Sequence, residues 1–210
     1  MDMLDHGSLR DLDEFMRKIT ADELTVVPWK NGGGVTTEIA VGPPRSGDQE
    51  WSWRVSIADV PATGPFSVFP GIDRSIAVIE GGGMDLRFEA GRMISLELNR
   101  PVDFDGGASV DGILRDDPIR DFNVMADRRY FRATLDIVLG AADESRFIAA
   151  GSVLLTHVLD GRCTIAAADI GAEDVRTNET VVCNEKADWL VSVSRDARVA
   201  VVVLEDISCA

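Results

Sequence analysis

The sequence predicts an all-β chain built from closed barrels, and three observations carry the prediction. From Phe15 onward the chain reads as short runs rich in β-branched and aromatic residues, broken at regular intervals by turn residues. Helical periodicity is almost absent, with residues 11–18 and 143–149 as the stretches that read as a helical turn or two. A faint internal repeat aligns "SIAVIEGGGMDLRF" (75–88) with "LTHVLDGRCTIAAA" (155–168). Each copy holds a strand, an acidic residue with a glycine turn (Glu80-Gly81 and Asp160-Gly161), and a second strand. The two glycines lie roughly 80 residues apart, room for one small barrel per copy.

Taken in order, residues 1–13 are acidic and polar without a sustained period and are expected to form a disordered extension. Residues 14–208 form the folded unit, with a first repeat over roughly 14–130 and a second over roughly 131–208. The stretch "PWKNGGGVTTEIA" (28–40) sets a lysine and an asparagine against three glycines. Glycine inside regular structure costs about 0.5–1 kcal/mol relative to alanine, so such a run marks positive φ or a close approach of another group. A phosphate loop places its lysine after the glycines and a helix behind it. Here Lys30 precedes Gly32, Gly33 and Gly34, and the β-branched run from Val35 to Ile39 predicts a strand. The dinucleotide fingerprint fails for the same reason. Residues 42–50 read as a loop, and "GIDR" and "NRP" mark further breaks. In "WSWRVSIADV" (51–60), Trp51, Trp53, Val55 and Ile57 share one face, and Ser52, Arg54, Ser56 and Ala58 the other.

A net charge of −15 and a pI near 4.4 oppose sequence-independent binding to nucleic acid and to anionic membranes. An anionic small ligand remains compatible where a few cations converge. Cys163, Cys183 and Cys209 have no C-x-x-C spacing and read as thiols of a reducing compartment. With no secretory pattern at residues 1–15 and no apolar run near the ~20 residues a bilayer demands, a cytoplasmic protein is expected.

The blocks "VPWKNGGGVTTEIA", "WSWRVSIADV", "GPFSVFPGIDRSIAVIEG" and "IRDFNVM" occur in the order of the signature blocks of the HutD/Ves family, which the chain resembles over roughly residues 15–205. The resemblance implies a duplicated cupin fold, two RmlC-like jelly-roll barrels fused into one compact bicupin unit. It also implies an association with histidine utilisation, restraining the pathway by binding an intermediate such as N-formylglutamate or urocanate. Residue by residue it covers Lys30, Asn31 and Gly32 to Gly34; Trp53, Arg54 and Ser56; Phe66, Ser67, Asp73 and Arg74; and Asp121 with Asn123.

Catalytic cupins generally hold a metal through histidines and a glutamate. This sequence has two histidines, His6 in the extension and His157 in a strand, where a lone histidine reads as structural. Spacing counted from the turn glycine puts Arg74 at the glutamate position, and the later motif puts Trp189 at a histidine position of the second copy. A cation repels a divalent ion in a poorly solvated pocket, and a transition metal would want imidazole or thiolate. No metal and no cofactor are expected.

From pattern alone, Arg54 faces water and the bulky face of its strand faces the core; the resemblance reverses this and turns Arg54 into a cavity, where its fork can hold a carboxylate. Arg74 reads either as a surface partner of Asp73 or as a pocket cation. Asp121 and Asn123 share a strand face that is either wet or ligand-facing. Phe66 either walls the cavity or packs the core. With Lys30, Asn31, Gly32, Gly33, Gly34, Trp53 and Ser56 these make up the expected ligand-binding set. The expected partners are a small anionic metabolite and, as an option, a second copy of the chain. Two other functions stay open: a metal-independent isomerase, epimerase or lyase using His157, Lys30, Asp121 or Tyr130, and a module that contacts a regulator protein through its acidic surface.

Overall fold

Successive side chains of a strand point to opposite faces, so the alternation from Trp53 to Val60 makes a strand with two different surfaces, and three such strands side by side set the architecture. The computed structural model describes residues 15–29, 33–45, 50–89, 91–116, 118–141 and 144–208. The expected extension, with His6, and also Lys30, Asn31, Gly32 and Cys209 lie outside the described residues.

In chain order the strands are β1 (Met16–Ile19), β2 (Thr25–Pro28), β3 (Val35–Val41), β4 (Trp53–Val60), β5 (Gly64–Pro65), β6 (Ile72–Glu80), β7 (Met84–Phe88), β8 (Met93–Leu96), β9 (Val102–Asp105), β10 (Val110–Leu114) and β11 (Ile119–Asp127). They continue as β12 (Phe131–Leu139), β13 (Glu144–Ile148), β14 (Ser152–Asp160), β15 (Arg162–Ala167), β16 (Gly171–Arg176), β17 (Thr180–Cys183), β18 (Trp189–Val193) and β19 (Arg198–Asp206). Their sheets run β2-β3-β4-β11-β6-β9, β5-β10-β7-β8, β1-β17-β14-β19-β12 and β13-β18-β15-β16. Adding eight to each strand number turns β4-β11-β6-β9 into β12-β19-β14-β17, and β5-β10-β7-β8 into β13-β18-β15-β16. The fold is all-β, and this repeated strand order fits the expected duplication. The glycine turns of the two sequence copies lie at matching places, Gly81 after β6 and Gly161 after β14, with φ of 96° and 81°. A β-carbon strains such a turn, which is why glycine stands at both.

Two local expectations need correction. Residues 16–18 and 144–148, read as helical turns, are strands: β1 pairs with β17, and β13 with β18. Periods this short do not separate helix from strand, and the ladder partner decides. β1 also joins the sheet of the second repeat, although it precedes every strand of the first. No helix among the described residues is long and apolar enough to cross a membrane.

Three cores follow from the four sheets, and that of the first barrel gathers Val60, Ile76, Val78, Met84, Leu86 and Leu96. Trp53, Val55 and Ile57 of β4, Ala77 and Ile79 of β6 and Phe122 and Val124 of β11 pack against Leu135, Leu155, Val182, Val202 and Leu204 of the second unit, forming a seam between the two largest sheets. Trp53 is 2% exposed within this seam, so its expected place among ligand-facing residues is corrected: Trp53, Val55 and Ile57 of β4 are taken up by the seam. The second barrel is filled by side chains such as Leu154, Cys163, Ile165, Val175, Trp189 and Val191. Trp189 donates its indole N–H to the Asn184 carbonyl at 3.0 Å. Burial pushes the Cys163 and Cys183 thiols up to about 12, so neither is a nucleophile at neutral pH.

His157 also belongs to the seam. Its Nδ1 lies 2.8 Å from the Thr180 hydroxyl, and its ring centroid 5.9 Å from that of Phe122. Burial, helped by the charge of Arg120, lowers its pKa from 6.5 to about 4, so the ring is neutral in the fold.

Two predictions follow from the seam. Phe122→Ala removes a fully buried ring and is expected to lower unfolding free energy by about 3–5 kcal/mol in urea titration. For His157 the folded state binds its proton less readily than the unfolded chain, so stability is complete above pH 6.5 and is lost as pH falls toward 4. Denaturation at pH 7 and at pH 4.5 should differ through this group by about 2–3 kcal/mol, and His157→Gln should remove that part of the difference.

Candidate functional site

The seam takes one face of β4, β6 and β11, and the other face opens on a cavity of about 790 Å³ inside the first barrel. Ladder register sets its contents. Arg54 stands beside Met125 and Met125 beside Arg74; Ser56 stands beside Asn123 and Asn123 beside Ile76; Ala58 stands beside Asp121 and Asp121 beside Val78. Two cations therefore occupy one cross-strand row, with the polar groups of β11 in the rows behind it. Opposite them the lining includes Phe66, Ser67 and Gly112.

Arg74 is 5% exposed, and its guanidinium carbon lies 5.0 Å from the Phe66 ring centroid and 5.1 Å from that of Phe104. Both rings attract the cation through their π-faces. Burial lowers the Arg74 pKa to about 10, opposed by the negative charge of Asp121 and reinforced by Arg54, so the side chain stays charged at neutral pH. A glycine at 112 is what lets the Phe66 ring sit there: a β-carbon would come within 2.6 Å of the ring edge. Asp73 points the other way and pairs with Arg128 at 2.9 Å, so Arg74 is not its partner.

Arg54 is differently placed. Its Nε donates to Glu38 of β3 at 2.9 Å, in a partly buried pair. One of the two described cations is thus already compensated.

Asp121 is 1% exposed and Asn123 7%. Burial pushes the Asp121 pKa up to about 7; Arg74 opposes the shift and Asp59 adds to it. Oδ1 of Asp121, Oδ1 of Asn123 and Nε of Arg74 have no hydrogen-bond partner among the described residues. A buried polar atom left so costs about 1–3 kcal/mol, and cores rarely keep one without a function. In the second barrel the equivalent ladder positions are hydrocarbon. Val199, beside Val138 and Val158, answers to Asp121; Val201 answers to Asn123, and Leu154 to Arg74.

Of the glycine stretch, Gly33 and Gly34 are described, just ahead of β3. Trp29 donates its backbone N–H to the Gly34 carbonyl at 2.9 Å and its indole N–H to Thr36 Oγ1 at 2.8 Å. A β-carbon on Gly34 would lie 2.6 Å from the Asp59 carbonyl oxygen and 3.0 Å from the Trp29 ring, so close packing on β4 and Trp29 explains this glycine. Gly33, Trp29 and Thr36 line the cavity, whereas Gly34 does not.

Of the expected set, the structure brings Gly33, Arg54, Ser56, Phe66, Arg74, Asp121 and Asn123 together around one cavity and sends Trp53 and Gly34 elsewhere. Of the described acid–base candidates, Asp121 lines it, while His157 sits at the seam and Tyr130 packs against the seam core. No group of three His, Cys, Asp or Glu side chains gathers as metal ligands among the described residues. Sequence reasoning missed Glu38, although Thr36 and Glu38 alternate within the quoted block. It also missed Met125, which follows Asp121 and Asn123 on the same strand face of a quoted block, and Phe104, for which no local signal exists.

Comparison with known proteins identifies the family and the fold. The HutD family model matches residues 21–201. An uncharacterised 21.2 kDa protein in the hutC 3′ region of Pseudomonas putida is 32% identical over 159 residues, covering 73% of this chain and 78% of that one. The Ves protein of Citrobacter koseri is 34% identical over 110 residues, 52% of this chain and 56% of its own. Among solved structures, HutD from Pseudomonas fluorescens SBW25 superposes with a TM-score of 0.76 at 29% identity, covering 91% of this chain and 98% of that one. A conserved protein of unknown function from Pseudomonas aeruginosa PAO1 gives 0.80 at 30%, covering 90% and 98%. A cupin 2 barrel protein from Leptotrichia buccalis, at 12% identity, TM-score 0.53 and coverage of 90% and 96%, shares the fold alone. With the family model matched over most of its length, this chain belongs to the HutD family.

Proposed function

We propose that the first barrel binds a small anionic metabolite without a metal, and that the protein thereby modulates histidine utilisation, with N-formylglutamate and urocanate as the leading ligands. The observation that carries the reading is the buried Arg74, its guanidinium over the rings of Phe66 and Phe104, in a cavity with Asp121 and Asn123. The volume suits a small molecule. Arg74 offers N–H donors to a carboxylate, and Asn123 and Asp121 offer acceptors to a ligand N–H or O–H. The relative placed beside hutC supports the link to histidine breakdown.

A second reading is favoured by one observation. A carboxyl pushed up to about 7 in a cavity is poised for proton transfer, which suits a metal-independent isomerase or lyase acting on an acid. Turnover of either compound that disappears in Asp121→Asn would establish it.

Binding is tested by calorimetric titration of the full chain with N-formylglutamate and with urocanate. Saturable heat is expected with at least one of them. Arg74→Gln should weaken it by about 10- to 150-fold, the equivalent of one charge-assisted hydrogen bond. Folded protein giving no heat at millimolar concentrations of both would overturn the reading.

A further inference from the structure

The described charges around the cavity are few enough to count. Arg54, Arg74 and Asp121 line it. Glu38, reaching from β3, holds Arg54. Asp59, next to Asp121's ladder partner on β4, is engaged with Arg120 at 3.0 Å. On β6 the group that meets Asp121 is Arg74, and the lining contributed by residues 62–69 and by Gly112 carries no charge. With Asp121 ionised, the four groups Arg54, Glu38, Arg74 and Asp121 sum to zero. An arriving carboxylate would then share the hollow with a second carboxylate, itself buried and with Oδ1 unpartnered. With a proton on Asp121, the same four groups carry one positive charge, and the aspartic acid becomes a hydrogen-bond donor on the face where the anion sits.

We propose that the first barrel takes up its ligand as a carboxylate together with a proton: the ligand carboxylate engages Arg74 while Asp121 gains a proton from solvent and keeps it for as long as the ligand stays. The inference rests on the reading of the site as an anion pocket and adds the proton to it. In the balance for a monocarboxylate such as urocanate, one carboxylate and one hydrogen ion enter, no covalent bond of the ligand changes, and the four described groups with their guest stay at a net charge of zero; a dicarboxylate such as N-formylglutamate brings one further negative charge with it. Burial already holds the Asp121 proton up to about 7, so near neutral pH the free protein stands between the two states, and a bound anion drives it to the protonated one.

The test is calorimetry of the full chain with urocanate and with N-formylglutamate between pH 6 and 8.5, each in two buffers of different ionisation enthalpy. Above about pH 7 the Kd is expected to rise by roughly tenfold per pH unit, with uptake approaching one proton per ligand at pH 8 and falling off toward pH 6. Asp121→Asn should abolish both the slope and the difference between buffers. Saturable binding with a flat Kd and equal heats in the two buffers would overturn the proton uptake while leaving the anion site standing. Carbon-13 NMR titration of the ligand-free protein, with the Asp121 carboxyl assigned by its loss in Asp121→Asn, supplies a readout independent of any ligand. A carboxyl titrating near 7 supports the inference, and one titrating in the ordinary range near 4 overturns it.

Discussion

The first barrel depends on how its largest sheet is used. One face of β4, β6 and β11 is committed to the seam with the second unit, where Trp53, Val55, Ile57, Ile79, Phe122 and Val124 are buried. Apolar burial yields roughly 25 cal/mol per Å², so a seam of large side chains anchors the sheet strongly. The other face divides its work: Ala58, Val60, Ile76, Val78 and Ile119 pack a core of the first barrel, and Arg54, Arg74, Asp121 and Asn123 line the cavity beside it. Period two ties the two faces together: a slip of one residue would drive Arg74 and Asp121 into hydrocarbon and turn Phe122 into the cavity. The polar groups hold their rows because the seam holds their neighbours.

The second barrel shows the other outcome of the same topology. Strand order repeats with an offset of eight, yet Val199, Val201 and Leu154 stand at the ladder positions of Asp121, Asn123 and Arg74, and Trp189 is fully buried in its core. Close-packed hydrocarbon is the stable default for a barrel interior. Of the eight buried side-chain atoms without a hydrogen-bond partner among the described residues, three, on Arg74, Asp121 and Asn123, belong to side chains lining the first barrel's cavity, and the other five lie on residues outside its lining.

How far the sequence reveals this varies with the range of the interaction. The alternation in "WSWRVSIADV" separates Arg54 and Ser56 from Val55 and Ile57, and the structure keeps that division. The alternation alone does not say which face a ligand would see. Trp53 shows the limit: it belongs to a signature block, but the block spans both faces of a strand, and Trp53 with Val55 and Ile57 serves the seam. Gly34 shows another. A glycine needed for packing on the Asp59 carbonyl and the Trp29 ring looks in sequence like one needed for a ligand. Glu38 was readable from local alternation, but its pairing with Arg54 came only with the register of β3 on β4. Phe104 reaches Arg74 from β9, a neighbour of β6 in the sheet with no signal in the sequence to announce it. The short stretches at 16–18 and 144–148 were misread because four or five residues do not define a period, and the paired strands decided them.

A cavity with two arginines in a chain of net charge −15 raises an apparent conflict that distance resolves. At physiological ionic strength exposed charges are screened beyond about 8 Å, and many surface carboxylates are already matched, as Glu80 is by Arg120 and Asp85 by Arg115. Inside the cavity the local groups dominate. The Arg74 guanidinium lies over the rings of Phe66 and Phe104, and its N–H edge carries its hydrogen-bond donors. That edge is planar and matches two oxygens of a carboxylate. Burial works against the charge on Arg74, and Asp121 is the described group that chiefly offsets it. Burial works against the charge on Asp121 too, so the offset weakens whenever Asp121 takes a proton. No direct ion pair joins the Asp121 and Arg74 side chains, so each acts on the other's charge across the cavity rather than through a shared contact.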